Sequence, residues 1–312
     1  MENILIIGGS YFAGRVFVEK LLKENRFNVF VFNRGNIRLP FKGITALVGD
    51  RERPDVIRAS IPPLDWAAVV DFCAYTPAHI RDLLDNVLGS IEQYVFISTT
   101  SIYADTLELP VRESAAKLTA PQPELGPYAD YGLNKWLAEC ELIRISGARG
   151  GNYTILRPAI IYGRHNYAPR ESYFFDLIAQ NRTIVLPEKD LPLFSFLWVD
   201  DLAEVISNCL GQPRLFADSY NVCGPELISY RRLMQVVGQV SGHEPAIKEM
   251  APLEIERRRL PLPFPLDQHL IYSCEKIREA TGINFTPFED GMRRTWHHYQ
   301  SRLGRRQERS IL

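Results

Sequence analysis

Tyr131 and Lys135 stand four residues apart in Tyr131-Gly132-Leu133-Asn134-Lys135, and the apolar Trp136, Leu137, Cys140, Leu142 and Ile143 that follow have helical spacing. On one helix this separation puts the phenol and the ammonium on the same face. A free tyrosine, with a pKa of about 10, is a poor base near neutrality, and a fixed cation beside it favours the phenolate. The pair could therefore move a proton at a substrate oxygen. Chance also supplies this spacing: with 14 tyrosines in 312 residues, roughly 0.4 coincidental Tyr-Lys matches are expected. Tyr272-Ser273-Cys274-Glu275-Lys276 is a second copy. It lies beyond the last expected strand, away from the carboxyl ends at which an open parallel sheet binds ligands, and is set aside.

Two other segments could share that chemistry. Ser98-Thr99-Thr100-Ser101 ends a strand-like run ahead of the Tyr131 helix. Its hydroxyls could polarise the same substrate oxygen, or only terminate the strand and cap a helix. Gly8-Gly9-Ser10-Tyr11-Phe12-Ala13-Gly14 joins the first apolar run to the first helical one, where a dinucleotide pyrophosphate rests on backbone N–H groups at a helix start. Gly8, Gly9, Ser10, Tyr11, Phe12 and Gly14 are thus cofactor-binding candidates. Tyr11 stands where the usual fingerprint has its middle glycine, and a tight turn without a ligand would use the same small residues.

At the end of the second apolar run, the usual acidic ribose anchor is replaced by Asn33, followed by Arg34. An arginine suits a 2′-phosphate, so the expected cofactor is NAD(P) with a modest preference for NADP(H); the other reading of Arg34 is a solvated turn charge. Asp50, after the third run, either approaches the adenine or serves its own turn. After the fourth run, Ala74 and Tyr75 are placed to face the cofactor, and Cys73 reads as a small buried hydrophobe.

The elements that must position these residues are legible as β-branched runs alternating with helical stretches: Ile4 to Ile7, Val29 to Phe32, Ile44 to Val48, Val69 to Phe72 and Tyr94 to Ile97. Gly14 to Asn25, with Val16, Phe17, Leu21 and Leu22 at helical spacing, is the first crossover helix. Tyr153 to Leu156 and Ser219 to Val222 add two strands. The fold class expected is α/β, a Rossmann-type doubly wound parallel sheet of about seven strands with a smaller C-terminal substrate lobe. Residues 1–163 and 193–225 are assigned to the dinucleotide-binding domain. Residues 164–192 and 226–312, proline-rich and without a regular strand-helix rhythm, are assigned to the substrate-binding lobe. His297-His298 reads as surface helix, and Arg302 to Arg309 as a frayed basic tail.

Composition narrows the function classes. A net charge of -1 provides no field to hold nucleic acid or an anionic membrane, so a small-molecule substrate is the expected partner. Cys73, Cys140, Cys209, Cys223 and Cys274 are scattered without metal-ligand or redox spacing, which points to reduced thiols, a cytoplasmic location and no metal site. Neither an export signal nor a membrane span is expected, and a homodimer is admitted.

Taken together, these residues resemble those of an extended short-chain dehydrogenase/reductase of the NAD-dependent epimerase/dehydratase superfamily. The matching segments are Ile6-Ile7-Gly8-Gly9, Val95 to Thr99 with Ile102-Tyr103, Tyr131 to Lys135, Leu156-Arg157-Pro158 with Tyr162-Gly163, Val199 to Ala203, and Tyr220-Asn221-Val222. The resemblance implies that Tyr131 is the acid/base, that Lys135 lowers its pKa and holds the nicotinamide ribose, and that Thr99 hydrogen-bonds the reacting oxygen. It further implies hydride transfer between a substrate carbon and the nicotinamide. Thr100, Tyr162, Arg164, His165, Asn166, Tyr167 and Trp198 would line or approach the substrate.

The departures from the family pattern set the alternatives. Thr100 and Ser101 replace the Asp-Glu pair of sugar dehydratases, which excludes that reaction. Ile160 and Phe194 stand where many nucleotide-sugar epimerases carry an asparagine and a pyrophosphate-gripping arginine, with Arg164, Arg170 or His165 as substitutes. Tyr11 is shared in kind with an atypical branch that includes the chloroplast stem-loop-binding proteins, some of which associate with RNA. The expected function is hydroxyl/carbonyl oxidoreduction, with a nucleotide-sugar epimerase as the alternative and a cofactor-binding, non-catalytic or RNA-associated protein as the third reading. The basic stripe expected of an RNA binder is missing.

Overall fold

The computed structural model of the protein describes residues 1–310, side chains at 304–310 excepted. Along the chain run β1 (Glu2–Ile7), α1 (Phe12–Glu24), β2 (Phe27–Asn33), β3 (Ile44–Val48), α2 (Pro54–Ser60), β4 (Trp66–Asp71), α3 (Pro77–Asn86), β5 (Gln93–Ile97) and α4 (Tyr131–Arg149). There follow β6 (Asn152–Pro158), β7 (Ile160–Tyr162), α5 (Glu171–Ala179), β8 (Ile184–Pro187), β9 (Phe194–Trp198), α6 (Val199–Cys209), β10 (Asp218–Val222) and β11 (Leu227–Ile228). Last come α7 (Tyr230–Ser241), β12 (Ile247–Met250), α8 (Pro252–Arg257), α9 (Glu275–Thr281) and α10 (Phe288–Ser310).

Among the described residues, seven strands form one sheet in the order β10-β6-β5-β4-β1-β2-β3, and every pairing in it is parallel. These are the seven strands expected from the sequence. β1 is apolar on both faces and fully buried from Ile4 to Ile7, as a central strand covered by helices on either side must be. The chain turns one way from β1 to β2 and β3, and the other way from β4 to β5 and β6. The carboxyl ends of β1 and β4 therefore flank the topological switch point, where open sheets of this kind bind ligands. Local signals stop the helices where they must stop: Asn25 closes α1 and Gly150 closes α4, both in the left-handed conformation, with N–H groups returned to Leu21 O and Ser146 O.

The chain divides into two compact units: Met1–Ala159, Asp200–Val222 and Tyr272–Asn284 in the first, and Ile160–Val199, Cys223–Ile271 and Phe285 onward in the second. The division departs from the sequence assignment at four places, the smallest being residues 223–225, which fall in the second unit. Residues 160–163 and 193–199 fall in the second unit because β7 and β9 pair with each other, and β9 with β11, in a separate three-stranded sheet. Residues 272–284 fall in the first, where Tyr272 bridges to Val111 and Lys276 pairs with Asp218 at 2.5 Å. The second unit also contains strand-helix order that its sequence hides. β8 and β12 pair in parallel, but at four residues each they are too short for alternation to register. The stretch expected to fray, 302–309, continues α10, and its side chains from 304 on lie outside the described residues.

Candidate functional site

The glycine turn joins β1 to α1 at the switch point. A side chain on Gly14 would place its Cβ 2.8 Å from Gly9 Cα, so a bare backbone here is what lets the start of α1 close on the turn. Ser10 is buried and Tyr11, the residue before α1, is exposed. Phe12 opens the helix with φ 30°. This short, close approach of backbone at a helix start fits a dinucleotide pyrophosphate.

Three other sequence-predicted cofactor positions have partners within the protein, two of them local. Asn33 Oδ1 accepts from Gly35 N at 2.8 Å, and Asp50 Oδ1 accepts from Glu52 N at 3.0 Å, each closing its own turn. Ala74 is buried, and its carbonyl is taken by Lys135. Arg34 is exposed at the end of β2.

Lys135 is 2% exposed, while Tyr131, one helical turn earlier on the same face of α4, is 38% exposed. The Lys135 ammonium donates to Ala74 O at 2.9 Å and to Ile97 O at 2.7 Å, and so grips the chain just beyond β4 and at the end of β5. Its charge also lies over the Phe96 ring, 4.4 Å from the centroid. Burial pulls its pKa down to about 8, against the attraction of Asp71 and Glu139. The second tyrosine-lysine copy has no such setting. Tyr272 packs on Tyr103, and Lys276 is held by Asp218 at the opening residue of β10, the amino end of that strand.

Gly132 brings the Tyr131 end of α4 to the hydroxyl run. A Cβ there would sit 2.2 Å from Ser101 O, so only glycine permits the approach. Thr99 is buried and caps the short turn over Thr100–Ile102: its hydroxyl accepts from Ser101 N at 3.1 Å and donates to Ser101 Oγ at 3.2 Å. Thr100 is buried and donates to Pro158 O at 3.5 Å. The capping function weighed for this run is therefore present.

Two buried ionic networks that the sequence reading missed lie in the same unit. Arg157 donates to Glu139 from Nε at 3.1 and 3.2 Å and from NH2 at 2.7 Å, and to the Tyr103 hydroxyl from NH1 at 2.9 Å. Tyr103 donates in turn to Asn221 Oδ1 at 2.6 Å, and Ser98 to Glu139 at 2.5 Å. Residues from three motif segments thus join one network around a carboxylate on α4, four residues beyond Lys135. In the second network, Arg51 NH1 donates to both Asp71 oxygens at 2.8 and 2.9 Å, and the Tyr94 hydroxyl to Asp71 at 2.6 Å. Burial alone would raise the Asp71 pKa, but the Arg51 guanidinium holds it below the usual carboxylate range. Cys73 beside them is pushed up to about 11, chiefly by burial, as suits an unreactive thiol. Arg51 follows Asp50 in what reads as a turn, and no spacing rule pairs it with Asp71.

In the second unit the sequence-predicted substrate residues separate. Phe194 is 1% exposed, with Tyr230 and Phe264 ring centroids at 5.5 and 5.4 Å. Its side chain is part of the core, because β9 is covered on this face by α7 and by the chain around Phe264. Tyr162 is likewise buried, its hydroxyl donating to Phe288 O at 3.3 Å. Ile160 packs on the same core, and Trp198 is buried under the Arg294 guanidinium.

Arg164, His165 and Asn166 do share one half-buried loop. His165 has φ 66° and its ring centroid lies 4.7 Å from that of His298, so His298 is partly covered where a surface residue was expected. Arg170 donates to Ile161 O at 2.9 Å, which ties one nitrogen of its guanidinium to β7. The loop is organised by Glu171, only 4% exposed, which accepts from Gly163 N at 3.0 Å and from Asn166 Nδ2 at 3.1 and 3.0 Å. Burial raises its pKa to about 6.

Among the described residues no cluster of metal-ligating side chains occurs, and no helix is long and apolar enough to cross a membrane. A curated relative, the chloroplast stem-loop binding protein of 41 kDa b of Arabidopsis thaliana, is 27% identical over 90% of this chain and 74% of its own length. An uncharacterised UDP-glucose epimerase of Bacillus subtilis is 28% identical over 78% of this chain and 83% of its own. Among solved structures, the UDP-glucose 4-epimerase of Thermotoga maritima with UDP-glucose superposes with a TM-score of 0.77 at 18% identity, covering 96% of this chain and 99% of that one; it shares the fold. The model of the NAD dependent epimerase/dehydratase family matches residues 4–223, a span that holds the glycine turn, the Thr99 turn and the Tyr131–Lys135 helix, and the chain belongs to that family.

Proposed function

We propose that the protein is an NAD(P)-dependent oxidoreductase acting at a hydroxyl or carbonyl carbon of a small molecule, with Tyr131 as the proton-transfer group. The observation that carries this reading is the Lys135 ammonium, buried and held by two carbonyls beside the switch point, on the helix face that it shares with the exposed Tyr131. When bound, NAD(P) supplies the acceptor or donor of hydride. Tyr131, as phenolate, takes the substrate hydroxyl proton while the carbon gives up its hydride, which leaves a carbonyl; in the reverse direction the phenol returns the proton. Lys135 makes the phenolate accessible by its charge, and two of its three N–H groups are spent on carbonyls, so the third is available to a ribose hydroxyl. Thr99 exchanges its bond to Ser101 for one to the reacting oxygen.

The preference for NADP(H) rests on Arg34, exposed at the end of β2, and on the missing acidic anchor at Asn33. Arg34→Ala should narrow the ratio of NADP to NAD affinity about tenfold, as read by calorimetric titration. The dispersed cysteines support a cytoplasmic setting.

A second reading, a nucleotide-sugar epimerase, is favoured by one observation: Phe194 lies in a core, so it presents no apolar barrier to a diphosphate. The UDP-glucose epimerases among its relatives support the same reading. Nicotinamide absorbance under turnover distinguishes the two. Oxidoreduction consumes or produces reduced cofactor in proportion to product, whereas epimerisation converts substrate with no net change.

A further inference from the structure

The loop from β4 to α3 is clamped on both sides of one residue. Asp71 Oδ1 accepts from Cys73 N at 2.9 Å and anchors Arg51, whose NH2 reaches on to His79 O at 2.7 Å. His79 Nδ1 in turn accepts from Tyr75 N at 3.0 Å. Thr76 caps α3 at its first turn, accepting from His79 N. Between these ties stands Ala74, whose carbonyl holds Lys135.

A clamp of this kind fixes where the next side chain lies. The Tyr75 ring sits over the Lys135 ammonium, 5.4 Å from Nζ to the centroid, and 6.4 Å from the Tyr131 ring. Packing does not demand a large aromatic group here, because Tyr75 is 46% exposed while Ala74 before it is fully buried.

The ammonium needs what the ring offers. Asp71 and Glu139 act on Lys135 from nearby, but neither carboxylate pairs with it: Asp71 is taken by Arg51 and Glu139 by Arg157. Cys73 and the Arg51 cation are its other charged or titratable influences, with the Tyr131 phenol on its own helix. Its immediate surroundings are two carbonyl oxygens and the faces of Phe96 and Tyr75. The negative face of an aromatic ring stabilises a cation, and more so when the cation is desolvated.

We propose that Tyr75 is a positioning residue of the proton-transfer site, its ring face forming with Phe96 an aromatic cradle that keeps the Lys135 ammonium charged beside Tyr131. The proposal rests on the proton-transfer reading of Tyr131 and Lys135 for its functional meaning. The ring, not the hydroxyl, carries the effect. Phenylalanine should therefore preserve it, and leucine, of similar bulk without a π face, should lose it.

The test is the titration of Lys135 in the full-length chain labelled with 13C-lysine, the resonance being assigned by its loss in Lys135→Arg. In Tyr75→Leu the midpoint should fall by about half a pH unit or more relative to wild type, and in Tyr75→Phe it should stay within about 0.2 unit. An unmoved midpoint in Tyr75→Leu, or an equal fall in Tyr75→Phe, would overturn the proposal. The measurement needs neither substrate nor turnover, so a failure of Tyr131 as acid/base would leave it standing, and its own failure would leave Tyr131 untouched.

Discussion

Both units bury an apolar core, and they differ in what they bury beside it. Beneath α4 the first unit encloses charge: Arg157 with Glu139, Arg51 with Asp71, and Lys135 on two carbonyls. The second encloses rings, with Phe194, Phe196, Tyr230, Phe264, Phe288 and Trp296 in one core. Hydrogen-bonded charges have few satisfactory geometries, because any displacement leaves a polar group unpaired in a low dielectric. Apolar rings accept many arrangements of similar energy, provided that volume is kept. If α4 carries the proposed proton transfer, it gains from the first kind of support, since reacting atoms must be held within a fraction of an ångström.

The largest effect should come from breaking the charged interior. Arg157→Leu would leave Glu139 with Ser98 as its remaining partner on that side, and should cost about 3–5 kcal/mol in denaturant unfolding. Replacing both members with apolar residues, Arg157→Met with Glu139→Leu, should recover much of that loss. If the single and double variants were equally destabilised, the pair would not be the organising contact.

Glu171 is the exception that sharpens the contrast, a lone carboxylate at the edge of the aromatic unit. Its folded pKa of about 6 lies above the ordinary 4.5, so the folded chain binds that proton more tightly than the unfolded one. Stability from this group is therefore gained as pH falls from about 6 towards 4.5, and the ionised form is a cost at neutral pH. Glu171→Gln, which keeps one acceptor oxygen and cannot ionise, should flatten the pH dependence of stability in that window. Unchanged pH dependence in the variant would assign the titration elsewhere.

The smallest effect is expected within the aromatic core. Phe194→Leu should cost about 1–1.5 kcal/mol by thermal or chemical unfolding and leave cofactor affinity unchanged. A change in ligand affinity without a change in stability would return Phe194 to the binding surface.

The same contrast governs what the residue pattern reveals. The seven strands are legible because buried parallel strands read as unbroken apolar runs, and the glycine turn because close backbone approach admits few residues. Gly132, unremarked in the sequence, serves such an approach, but only the position of Ser101 O shows it. Phe194 and Tyr162 illustrate the opposite limit: an aromatic residue on a short strand reads alike whether it faces a ligand or a core. Arg51, Asp71 and Glu171 escape because their partners are fixed by topology, with no sequence spacing to mark them.

The central claim is that Tyr131 supplies the proton from a site whose cofactor contacts are independent of its hydroxyl. Its most direct test is single-turnover hydride transfer in Tyr131→Phe, with cofactor affinity measured on the same preparation and Tyr272→Phe as the comparison. The account predicts a loss of at least about a hundredfold in the rate with cofactor affinity retained, and a near wild-type rate for Tyr272→Phe. A near wild-type rate in Tyr131→Phe, or loss of turnover in Tyr272→Phe, would contradict it.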